Sequence, residues 1–175
     1  MTPHGSVARH SDAYKLGGLL MFLSAGVIAT ALAFEFVGGY APCWLCGVQR
    51  YAYYAAIPLA FAALVLTSAE QEKAAALILL FVACAFLANS GIGLYQAGAE
   101  WGFWPGPETC SGAQTMTRQA GDLLSELGAT RVVRCDVAAW RDPVVGLSFA
   151  GWNVLASFGL FVIGLKAAFA AADGR

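Results

Sequence analysis

The sequence predicts an all-α membrane protein: a four-transmembrane-helix bundle with a short first and a long second loop on its outer side, forming a single integral membrane domain over residues 1–175. Composition is the first reason. With 59% of residues hydrophobic and 12% charged, too little polar surface remains to clothe a soluble fold. The second reason is where the apolar residues fall. They gather in four stretches, 16–37, 51–67, 74–95 and 147–170, each roughly long enough to cross a bilayer and nearly free of charge. A buried helix of a soluble protein matches one such stretch, but four in so short a chain demand lipid as the solvent.

The first span, Leu16–Val37, follows Arg9 and Lys15. Its apolar run closes on Ala31-Leu32-Ala33, a small-residue pattern that also ends signal peptides. The run is longer than a signal core, and cleavage would leave three spans with the termini on opposite sides, so it is read as a retained helix. A short uncharged connection, Gly38–Gly47, leads to the second span, Tyr51–Thr67. The charged turn Glu70-Gln71-Glu72-Lys73 separates that span from the third, Ala74–Tyr95. The long outer loop, Gln96–Gly146, is the sizeable extramembrane piece. Pro105, Pro107 and Pro143 break helices at its ends, and Asp122–Gly128 reads as a short amphipathic helix stopped by glycine. Trp101, Phe103 and Trp104 suit the membrane interface. Leu147–Ala170 is the fourth span.

A net charge of −1, with no cluster of lysine or arginine, offers no surface to nucleic acid. No Gly-rich phosphate loop supports nucleotide chemistry. Charge does not orient the bundle either: Arg9, Lys15, Lys73, Lys166 and Arg175 on the terminal side balance Arg50, Arg118, Arg131, Arg134 and Arg141 on the loop side.

Orientation comes from the cysteines. Cys43, Cys46, Cys110 and Cys135 all fall in the two connections that share one side, which is where an oxidising compartment would use them. Cys84 lies inside the third span and reads as a small packing residue. Cys43-Trp44-Leu45-Cys46 opens the second span. A helix starting there puts Cys46 at an N-terminus that favours a thiolate, with Arg50 one turn on along the same face. Pro42 restricts the turn ahead of Cys43, which is expected to face an aqueous partner. A thiolate and an arginine at membrane level are costly without a task, and transfer of electrons to a lipid-soluble acceptor such as a quinone is one. A static local bridge with a snorkelling Arg50 has the same spacing. Cys110 and Cys135 suit a structural disulfide worth about 3 kcal/mol equally well. A zinc site is disfavoured, because His4 and His10 lie at the opposite side. Glu35, the acid within the first span, is expected to reach the headgroups unaided, with a proton-acceptor role in quinol chemistry or pairing with Arg50 as the alternative, and Asn89, Ser90 and Asn153 are expected to bond across helices.

Taken together, Cys43-Trp44-Leu45-Cys46 with Gln49-Arg50 behind it, the stretch YQAGAEWGFWPGPETC ending at Cys110, and Cys135-Asp136 followed by Trp140 and Gly146-Leu147-Ser148 carry a resemblance. Over residues 14–165 the chain resembles the disulfide bond formation protein B family, the quinone-linked thiol oxidases of bacterial inner membranes. The resemblance implies catalytic Cys43, Cys46, Cys110 and Cys135, with a Cys110–Cys135 disulfide that accepts electrons from a periplasmic thioredoxin-like dithiol oxidase. It implies Arg50, Gln49 and Gln96 around a quinone, ubiquinone or menaquinone, and no metal. It further implies an inner-membrane location with cytoplasmic termini and both cysteine pairs periplasmic. This relay is the established chemistry of that family and does not follow from spacing. Gln96 stands where the family often has histidine, so a proton-transfer role there is lost. The competing expectation is a non-catalytic membrane scaffold held by structural disulfides.

Overall fold

The computed structural model describes residues 4–107 and 134–173. Four helices carry the chain: α1 (His4–Phe36), α2 (Trp44–Ser68), α3 (Glu72–Glu100) and α4 (Phe149–Ala172). Each is long and apolar enough to cross a membrane. Among the described residues no strand forms, and Arg141 and Ser148 make one isolated bridge. Cys110 and the expected helix Asp122–Gly128 lie outside the described residues.

The helices close a ring in which α1 packs on α2 and α4, α2 on α3, and α3 most extensively on α4. Leu20 of α1, Tyr53 and Ala60 of α2, Phe86 of α3 and Leu160 of α4 meet in the centre. Phe22, Phe61, Phe81 and Phe169 point outward, the distribution expected when the surrounding solvent is hydrocarbon. The tight α3–α4 seam depends on small residues. A methyl group on Gly164 would stand 3.2 Å from Ala83 Cβ, and one on Gly93 would stand 3.0 Å from Asn153 Nδ2.

Two expectations are corrected. The third helix continues past Tyr95 to Glu100, accommodating Gly98, and stops ahead of Gly102, whose φ of +78° only glycine adopts readily. Gln96 is therefore helical and buried, not part of a loop. Cys84 is a free thiol on the outer face and does not pack inward; Val82, Ala83 and Phe86 occupy the inward positions of that turn.

Candidate active site

The cysteine motif is built by a helix start. Cys43 is the N-cap of α2, in extended conformation, and its Sγ accepts the N–H of Cys46 at 3.1 Å. Cys46 thus sits in the first turn, at the positive end of the helix dipole. The two are joined by a disulfide with Cα atoms 5.0 Å apart. Cys43 was expected to face water. It is only 5% exposed, because Cys135 packs over it in a small cluster with Leu45, Cys46 and Ile92. Cys135 is itself disulfide-bonded, and Cys110, its expected partner, lies outside the described residues. The structure thereby packs Cys135, from the connection before α4, against the Cys43–Cys46 pair at the start of α2.

Behind the disulfide runs a chain of amides and hydroxyls through three helices. Gln96 Nε2 lies 3.4 Å from Cys43 Sγ and 3.3 Å from Cys46 Sγ. Its Oε1 accepts from Gln49 Nε2 at 2.7 Å, and Gln49 Oε1 accepts from Asn153 Nδ2 at 2.6 Å. Asn153 Oδ1 accepts from Tyr53 Oη at 2.7 Å, while Asn89 Nδ2 donates to Ser157 Oγ at 2.9 Å. Because Gln49 occupies the Gln96 oxygen, the amide is held with its N–H groups toward sulfur. Asn89, Ser90 and Asn153 bond across helices as expected. Tyr53 and Ser157 escaped the sequence reading. The signal was there: residues 49 and 53 on α2, 89 and 96 on α3, and 153 and 157 on α4 each form a polar stripe at helical spacing.

Arg50 corrects another expectation. Its guanidinium pairs with Glu35 across the α1–α2 seam, so Glu35 does not reach the headgroups alone. Each partner is mostly buried, and neither charge at this depth is stable without the other. Both Arg50 and the disulfide line a cavity of about 640 Å³, whose apolar wall includes Phe22, Val27 and Phe34. Gln49 and Gln96 border the same space. Glu100, not singled out from sequence, also lines it and accepts from Gln96 Nε2 at 3.3 Å. In the exposed connection, Arg134 donates to Asp136 at 2.9 Å, and this hydrogen bond holds the Asp136 carboxyl below the usual carboxylate range.

The arrangement offers a covered disulfide, donors aimed at its sulfurs, and an apolar chamber with a cation at one end. Comparison with curated proteins and with solved structures gives no significant match. The model of one family, disulfide bond formation protein DsbB, matches residues 14–167. With four membrane-crossing helices and a bonded Cys-x-x-Cys pair inside that match, the chain belongs to the DsbB family, membrane oxidoreductases of disulfide bond formation.

Proposed function

We propose that the protein withdraws two electrons from a periplasmic thioredoxin-like dithiol oxidase and passes them through Cys43 and Cys46 to a membrane quinone. The observation that carries this reading is the packing of Cys135 against Cys43 and Cys46, which allows exchange between the two cysteine pairs. In this reading the cysteine end faces the periplasm, the termini face the cytoplasm, and one membrane domain performs the whole relay.

The relay begins when a partner thiolate attacks the disulfide of Cys110 and Cys135. A freed loop thiolate then attacks Cys43, the Cys43–Cys46 bond breaks, and Cys46 leaves as a thiolate. The helix start and the Gln96 N–H stabilise that leaving group. The partner loses two electrons and two protons and becomes a disulfide, and the loop bridge is re-formed.

The cavity fits a quinone. Its apolar wall suits a flat ring and isoprenoid tail, and Arg50 retains guanidinium N–H groups beyond those Glu35 takes. Arg50 would hold a carbonyl oxygen, with Gln49 and Gln96 on the neighbouring wall. A bound quinone supplies the two-electron, two-proton acceptor that a strongly oxidising soluble partner requires.

Purified protein, a reduced thioredoxin-like oxidase and a soluble quinone analogue test the reading by quinone absorbance. Turnover is expected in the wild type and is lost in Cys46→Ser. Absence of wild-type turnover, or its survival in Cys46→Ser, would turn the assignment toward a scaffold with structural disulfides.

A further inference from the structure

The relay leaves the Glu100 carboxylate without a task, yet it stands where two cavities meet. One holds Cys43, Cys46 and Arg50; the other, about 610 Å³, is walled by residues 99–106 and Asp136 on the loop side. Oε1 of Glu100 accepts from Gln96 Nε2 at 3.3 Å, and that nitrogen lies equally close to the sulfur of Cys46. Carboxylate and sulfur therefore compete for the same N–H groups. Oε2 is buried and has no hydrogen-bond partner among the described residues. A carboxylate oxygen in that condition can accept a proton without giving up a hydrogen bond.

Of the surrounding charges, that of Arg141 favours the ionised carboxylate. Arg141 Nη2 donates to the Glu100 backbone carbonyl at 3.3 Å. Arg134 pairs with Asp136 and Arg50 with Glu35. Asp142 accepts the backbone N–H groups of Val144 and Val145. Ser148 and Gln96 face Glu100 as neutral groups.

We propose that Glu100 holds a proton released when the Cys43–Cys46 pair is reduced, so that the site keeps one negative charge shared between the carboxylate and a sulfur. The inference rests on the relay, since only a reduced pair has this proton to place. The protons balance. Of the two brought by the incoming dithiol, one stays on Cys43 as a thiol and the other moves to Glu100, while Cys46 remains a thiolate. Before reduction the single charge is on Glu100; afterwards it is on Cys46. Like charges in a poorly solvated site do not both ionise readily, and moving one proton avoids it. When the disulfide re-forms, both protons leave with the two electrons, the one on Glu100 entering the cavity that this residue lines together with Cys46 and Arg50.

The test uses full-length protein reduced in detergent, with neither quinone nor partner. Iodoacetamide alkylation of Cys46 is followed against pH by mass spectrometry of the peptide bearing it. Wild type is expected to show two steps. Glu100→Gln should show one, displaced downward by about one pH unit, which is about tenfold faster alkylation on the acid limb. Glu100→Asp should keep the wild-type profile. No displacement in Glu100→Gln, or the same displacement in Glu100→Asp, overturns the proposal. Failure of the relay would appear separately, as absent turnover in the quinone assay, because alkylation needs none of its components.

Discussion

At the scale of the residue, the pair between Arg50 and Glu35 sets how the cavity is charged. Arg50 alone would carry a full positive charge at membrane level, and Glu35 alone a negative one; together they place a dipole beside the disulfide. The two partners should fail differently. Arg50→Met removes the cation from the cavity and is expected to raise the KM for a quinone analogue by at least about tenfold, with little change in KM for the dithiol partner. Glu35→Gln keeps the cation but strips its counter-ion, which should cost about 1–3 kcal/mol and lower Tm in detergent by several degrees. Equal quinone KM values in Arg50→Met and wild type would remove Arg50 from the proposed site. The cysteines and Arg50 were legible in the sequence because their spacing is local, three and four residues along one helix start. The Glu35 partner was legible only as an alternative, because it lies on another helix, and hydropathy treats each span as though it were alone.

At the scale of the element, the extra turn of α3 matters most. Hydropathy falls after Tyr95, but loss of apolar character marks where lipid contact ends, not where a helix ends. The helix runs on to Glu100 and carries Gln96 to the disulfide and Glu100 to the junction of the cavities. Beyond Glu100 the chain folds back on that turn: Trp104 stacks on Tyr95 with ring centroids 6.0 Å apart, and its Nε1 donates to the Tyr95 carbonyl at 2.8 Å. Gly98 makes the return possible, since a methyl group there would overlap the six-membered ring of Trp104. Gly98→Ala is therefore expected to displace the indole, at a cost of about 1–3 kcal/mol from overpacking, with a lower Tm and altered tryptophan emission. Adding Trp104→Leu to that variant should restore part of the lost stability. An unchanged Tm in Gly98→Ala would mean that the indole moves freely and the return is not pinned there. The four spans were legible because lipid selects long apolar helices whatever they pack against. The turn closed by Gly98 and Trp104 was not, because Trp104 also suits an ordinary interfacial belt and the sequence alone does not pair it with Gly98.

At the scale of the whole molecule, the ring of helices divides into a polar and an apolar half. Tyr53, Gln49, Asn89, Gln96, Asn153 and Ser157 tie α2, α3 and α4 together through hydrogen bonds in a low-dielectric interior. Helix α1 takes no part in that network; it contributes Glu35 and a largely apolar wall. The seam between α1 and its neighbours is thus where an apolar ligand meets the fewest bonds to break, and it is where the cavity lies. This division predicts separable functions. Ala31 of α1 lines the cavity. Ala31→Trp should fill the chamber and reduce quinone-dependent turnover by at least about tenfold. A single transfer from the reduced partner into the cysteine pairs, measured without quinone by trapping free thiols, should proceed as in wild type, because those sulfurs are held by α2, α3 and the loop around Cys135. Loss of both activities together would tie α1 to the sulfur geometry. Loss of neither would move the quinone out of this cavity, and with it the reason for placing an arginine and a disulfide on the same apolar wall.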